Sequence, residues 1–176
     1  VEISGIDITD LDDATFAEIR DVFHDSHVIV FRDQHVSVED HIAFSHRFGD
    51  LEIHIATDHL LKDHPEILLV TNKKENGKYI GVENAGDEWH SDLSYMDKPS
   101  LGSLLYALEV SQDGGDTEWS NMYTAYETLP EETKQRIQDL KARHSFNRFR
   151  NPRIGIPEQH RENAEERYAK ISPPDV

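Results

Sequence analysis

The apolar residues of this chain come in short, separated runs, and that spacing limits its fold more than any other property. Val28–Phe31, Ile67–Val70 and Tyr79–Val82 are brief runs rich in β-branched, aromatic and aliphatic side chains, and Leu101–Val110 is the longest of this kind. Each predicts a strand. Among them stand two stretches with helical recurrence. Phe16, Ile19, Val22 and Phe23 share one, with Asp10 or Asp12 as its cap. Ile42, Phe44 and Phe48 share the other, opened by Ser37 and Asp40 at capping-box spacing and ended by Gly49. Asn76-Gly77 predicts a tight turn before Tyr79, and Gly114-Gly115 closes the long run. Pro130 suits the first turn of a helix carrying Ile137 and Leu140. Past Arg143 the pattern loosens, leaving Ile154, Ile156 and Ile171 as aliphatic anchors among prolines and charges. The expectation is a single α+β domain over residues 1–176, with its C-terminal part missing after Pro173-Pro174-Asp175-Val176.

Composition removes several function classes. Eighteen Lys and Arg stand against 35 Asp and Glu, a formal net charge of −17 in 176 residues. Phosphate backbones need clustered cations, so no nucleic-acid partner is expected. A small anionic substrate remains compatible, because a local Arg, His or metal can hold it within an unfavourable field. With no cysteine, disulfides, thiolate metal sites and Cys nucleophiles are excluded. Nothing approaches 18 consecutive apolar residues, and Val1–Asp10 lacks a secretory pattern, so the default expectation is a cytoplasmic protein without membrane association.

Eleven histidines invite metal hypotheses, but with 35 acids in the chain about two His-x-acid pairs arise by chance. There are three: His64/Glu66, His90/Asp92 and His160/Glu162. His64-Pro65-Glu66 reads as a solvated loop before the strand at Ile67. His160 and Glu162 fall in a polar, helical stretch, where residues two apart diverge by roughly 200° and cannot share an ion. His90-Ser91-Asp92 differs, because the aromatics and alternation of Glu88–Tyr95 suit an extended segment. There, residues i and i+2 lean to one face, so an imidazole and a carboxylate can meet. That is two-thirds of a 2-His-1-carboxylate facial triad, which leaves three positions of a six-coordinate ion open. The same spacing also serves a plain His–Asp hydrogen bond, and it does not separate Fe(II) from Mn(II) or Zn(II). Trp89, beside His90, has two readings, shielding the site or packing the sheet; packing is the expectation, because a strand neighbour points to the opposite face.

Val28–Gln34 (VIVFRDQ), Phe44–Asp50 (FSHRFGD), Trp89–Asp92 (WHSD) and Gly114–Trp119 (GGDTEW) stand in the order found in the taurine dioxygenase-like family, which the chain resembles from near its start to at least Phe146. The family comprises Fe(II)- and 2-oxoglutarate-dependent oxygenases. The resemblance implies a double-stranded β-helix (jelly-roll) core with flanking helices, using Fe(II), 2-oxoglutarate as co-substrate, and O2. It implies hydroxylation of a small, anionic organic substrate (a sulfonate, alkyl sulfate or carboxylate) with release of succinate and CO2. His90 and Asp92 match the first two iron ligands. Thr117 matches the threonine that contacts 2-oxoglutarate, although by itself it reads as a strand-start Thr satisfying its own backbone. His54 matches a substrate-binding histidine, and Leu93 falls where members line the substrate pocket, with core packing as its other reading. Family members form dimers or tetramers, so a homodimer or homotetramer is the implied assembly.

Two departures qualify the resemblance. Gly86 stands where taurine-specific members carry an Asn, which argues against taurine itself. The family's third ligand, a late His, and the Arg that pairs with 2-oxoglutarate fall beyond Val176, and neither His144 nor His160 matches them. Three other readings stay open: a non-catalytic two-ligand remnant serving binding or assembly, a zinc hydrolase using His90, Asp92 and a third group such as His54, and an acidic interaction module.

Overall fold

The computed structural model describes residues 1–54, 57–83, 85–86 and 89–144. The chain forms two compact units, Val1–Leu69 with Leu104–Glu131, and Val70–Ser103 with Glu132–Val176.

In the first unit, β1 (Glu2–Ile3) pairs in parallel with β2 (Val30–Phe31), with α1 (Asp13–Ser26) between them in sequence. Asp12, not Asp10, caps α1: its Oδ1 accepts the Thr15 amide at 2.7 Å, and that bond is the main reason its carboxyl lies below the usual range. His27 ends the helix in a left-handed conformation, donating its amide to the Phe23 carbonyl. α2 (Val38–His46) opens with the expected capping box, in which Ser37 and Asp40 each accept from the other's backbone amide. The helix proper stops at His46, earlier than the apolar pattern suggests. Tighter i→i+3 bonds then carry the chain through Phe48 to Gly49.

Those two helices bury the core. Phe16, Ile19 and Phe44 are its most enclosed apolar residues. Phe44 meets Phe16, Phe31 and Phe48 edge to face, with centroids 5.4–6.2 Å apart, and Phe48 also meets Phe16 and Phe23. Arg47 lays its guanidinium 4.3 Å over the Phe16 ring. Gln34 ties down the chain after β1, accepting from the Ile8 amide and donating to the Ile6 carbonyl. Tyr106 donates its hydroxyl to the Gln34 carbonyl.

Next come β3 (Leu60–Leu61) and β4 (His64–Leu68), an antiparallel pair turning through Lys62 and Asp63, the latter at φ 68°. His64-Pro65-Glu66 is therefore strand rather than loop. Pro65 is tolerated because a two-stranded sheet leaves an edge that needs no amide donor. His64 Nε2 stands 3.6 Å from Glu39 Oε1 of α2. α3 (Met122–Glu127), capped by Asn121, completes the described helices of this unit.

In the second unit, β5 (Lys74–Glu75) and β6 (Lys78–Tyr79) form the hairpin that Asn76-Gly77 predicts, both turn residues having positive φ (50° and 80°). Val70 and Val82 form an isolated parallel bridge. α4 (Glu131–Ile137) starts directly after Pro130. Leu140 lies past its end.

The long strand predicted at Leu101–Val110 is not formed. No described strand pairs with it, and an extended segment without a partner leaves its backbone groups to water. Leu105, Leu108 and Val110 are accordingly more than 70% exposed. The described residues thus mix helices with three two-stranded sheets, as an α+β reading requires. No helix among them is long and apolar enough to cross a membrane.

Candidate metal centre

The segment around His90 and Asp92 belongs to the second unit. It is not the strand expected there: residues 89–91 are irregular, and a turn begins at Asp92. Leu93 takes a left-handed conformation at φ 49°, and the Met96 amide closes the turn on the Leu93 carbonyl at 2.9 Å. Leu93 is half-buried. Trp89 does not pack a sheet; it is 67% exposed.

The two groups nevertheless converge. His90 Nε2 stands 3.1 Å from Asp92 Oδ1, with both side chains about half-exposed. The other carboxylate oxygen, Oδ2, accepts the Ser103 hydroxyl at 2.7 Å. Gly86, at φ 84°, lies beside the imidazole, and a Cβ there would sit 3.7 Å from His90 Cε1, ordinary contact.

The donor set fits a small divalent ion. Two donors each ~2.1 Å from an octahedral ion, and adjacent in its shell, stand about 3.0 Å apart. The observed 3.1 Å matches that edge. A direct imidazole–carboxylate hydrogen bond has the same length. Nitrogen and carboxylate oxygen without sulfur suit Fe(II), Mn(II) or Zn(II). Among the described residues no third His, Asp or Glu joins the pair.

His54 and Thr117 both belong to the first unit. His54 is half-buried on an irregular stretch after α2. Thr117 is exposed on an irregular segment after Gly114 and Gly115, whose φ values are 75° and 80°. His160 and Glu162 lie outside the described residues. Ser103 was not singled out by the sequence. It sits eleven residues from Asp92 in a run that reads as strand, so no local pattern announces it.

Residues 1–174 match the family described as taurine catabolism dioxygenase TauD, TfdA family. The chain belongs to the TauD/TfdA family. One relative is the (S)-phenoxypropionate/alpha-ketoglutarate-dioxygenase of Sphingobium herbicidovorans, 31% identical over 144 residues, covering 82% of this chain and 49% of the relative. Among solved structures, a Burkholderia xenovorans protein assigned as an alpha-ketoglutarate-dependent taurine dioxygenase superposes with a TM-score of 0.70 at 29% identity, over 82% of this chain and 50% of that one. AAD-2 in complex with Mn(II) and N-oxalylglycine superposes with a TM-score of 0.63 at 28% identity, over 92% and 55%. The TauD-type architecture is therefore shared over the matched part. The chain spans about half the length of the curated relatives it matches.

Proposed function

We propose that this TauD/TfdA chain carries the His90–Asp92 part of the metal centre of an Fe(II)- and 2-oxoglutarate-dependent dioxygenase, built on a jelly-roll core. The observation that supports it most is the 3.1 Å approach of His90 Nε2 to Asp92 Oδ1, the spacing of two adjacent ligands on one octahedral ion. AAD-2, a structural neighbour, holds Mn(II) and N-oxalylglycine. That supports a divalent ion with a small dicarboxylate in this family's architecture.

His90 and Asp92 would hold the iron, which with 2-oxoglutarate and O2 would supply the oxidation of a substrate C–H to C–OH, with succinate and CO2 released. The chain's own residues position the participants. His90 offers a neutral nitrogen and Asp92 one anionic oxygen, so the pair contributes a single negative charge to the ion. Two protein donors do not complete a facial triad, and the reading requires a third from outside the residues described. Thr117 is assigned to 2-oxoglutarate, to which its hydroxyl can donate. Leu93 is assigned to the substrate pocket. The substrate is a small organic anion, a reading the phenoxypropionate relative supports. In a chain of net charge −17 such a substrate needs a local cation or donor, and His54 is assigned that role. A homodimer or homotetramer is the assembly proposed.

The test uses the full-length protein with His90→Ala and Asp92→Ala, measuring retained Fe(II) and succinate formed per 2-oxoglutarate consumed. Both variants are expected to lose iron and succinate formation. Wild-type values in either one overturn the metal assignment, and turnover with Zn(II) in the absence of 2-oxoglutarate assigns the hydrolase instead.

A further inference from the structure

We infer that Ser103 is a positioning residue for the metal centre, fixing Asp92 so that it presents one oxygen and not two. This inference rests on the iron reading of His90 and Asp92. Ser103 Oγ donates to Asp92 Oδ2 at 2.7 Å, while Oδ1 faces His90 Nε2 at 3.1 Å. The two carboxylate oxygens therefore have separate partners.

A hydroxyl donating to an ionised carboxylate at this length makes one of the stronger kinds of hydrogen bond. Two consequences follow for Asp92. Rotation about its last torsion is fixed, because both oxygens are held at once, so the ligand is set in place before the ion arrives. A bidentate grip, which would need Oδ2 to turn toward the ion, requires the Ser103 bond to break.

The last consequence bears on the reaction class. A six-coordinate ion holding three monodentate protein donors keeps three positions: two for a chelating 2-oxo acid and one for oxygen. If the carboxylate took two positions, only two would remain, and co-substrate and oxygen would compete for them. Ser103 thus preserves the open face that this chemistry requires. The backbone contributes as well. The left-handed turn at Leu93 bends the chain directly after Asp92, so the carboxylate is carried at the start of a closed turn and not on a free strand.

Outer partners of metal ligands typically contribute 10–100-fold in metal affinity. Asp92 is half-exposed and water can replace part of the lost bond, so about tenfold is expected here. The experiment titrates Mn(II) into the metal-free full-length protein under anaerobic conditions. It reads the free ion by electron paramagnetic resonance and, in parallel, the quenching of tryptophan fluorescence. Ser103→Ala is expected to weaken Mn(II) binding about tenfold, and Ser103→Thr, which keeps the hydroxyl, to restore it. Thermal midpoints of the metal-free forms are compared alongside.

Affinity in Ser103→Ala within threefold of wild type, while His90→Ala loses the ion, overturns the role of Ser103 and leaves the metal centre standing. Equal weakening in Ser103→Ala and Ser103→Thr, with lowered metal-free midpoints in both, assigns Ser103 to packing and also overturns it. Undiminished Mn(II) binding by His90→Ala overturns the metal centre itself.

Discussion

Arg47 joins the end of α2 to the start of α1, and removing it should cost far more than breaking its ion pair. The guanidinium donates to the Leu11 carbonyl at 2.8 Å, the Asp12 carbonyl at 3.3 Å and Asp13 Oδ1 at 2.7 Å, and it covers the Phe16 ring. These partners are unequal. The Arg47 side chain is 24% exposed, whereas that of Asp13 is fully exposed, so solvent screens their pairing. A part-buried hydrogen bond from a charged donor contributes about 1.5–3 kcal/mol. A cation–π contact at a half-open site adds about 0.5–1 kcal/mol. Arg47→Ala should therefore destabilise by about 2–4 kcal/mol, and Arg47→Lys, which keeps charge but loses the planar fork, by about half as much. Asp13→Asn should be indistinguishable from wild type. The assay is urea unfolding of the full-length protein, reading the shift in midpoint at unchanged slope. Two results refute the reasoning: a loss below about 1 kcal/mol in Arg47→Ala, or an Asp13→Asn variant as damaged as Arg47→Ala. The second would show that the exposed ion pair carries the clamp, and high salt would then weaken the wild type too.

Other consequences are local. Burial holds the His41 imidazole below its ordinary pKa, with a hydrogen bond to the Leu104 backbone opposing. The unfolded chain then binds the proton more readily, so this contribution to stability is complete above about pH 6.5 and is lost as pH falls through the folded value. His41→Phe should flatten that part of the stability–pH profile; a slope equal to wild type would refute the assignment. Leu93 adopts φ 49°, a conformation that β-branched residues avoid. Leu93→Val should lower stability by about 1–2 kcal/mol through backbone strain, and Leu93→Asn by less, as read by thermal unfolding. Equal midpoints for the two variants would remove the strain argument.

What the sequence made legible was whatever short-range chemistry decides. The Asp12 cap, the Ser37–Asp40 box and the Asn76-Gly77 hairpin each depend on residues within three positions of one another, and all three are present. Failures begin where a distant partner decides. Leu101–Val110 has the composition of a strand, but a strand exists only when another segment pairs with it. Pro65 looked like a breaker because the sequence does not say which strands have a free edge. β1 and α3 are too short for periodicity to reveal. At the candidate site, the convergence of His90 and Asp92 was anticipated from strand alternation, yet it arises from an irregular stretch that turns at Leu93. The i, i+2 spacing was sufficient without the strand. Ser103 was invisible because nothing in an eleven-residue separation encodes a hydrogen bond.

The four strings that mark the family also separate frame from chemistry. In the first, Gln34 pins the chain after β1; in the second, Arg47 and the Phe44–Phe48 pair build the helix contact. Both sit in the first unit, and what they hold together is the fold. The third string brings an imidazole to a carboxylate, and Gly114 and Gly115 in the fourth supply left-handed backbone before Thr117. Loss of the proposed metal ligands would therefore leave these frame contacts in place, since none of them involves His90 or Asp92. The frame contacts and the proposed metal ligands are thus different atoms. A stable variant that keeps its fold while losing Mn(II) at His90 would demonstrate the separation directly, and a variant in which unfolding always accompanies metal loss would show that frame and centre are one structure.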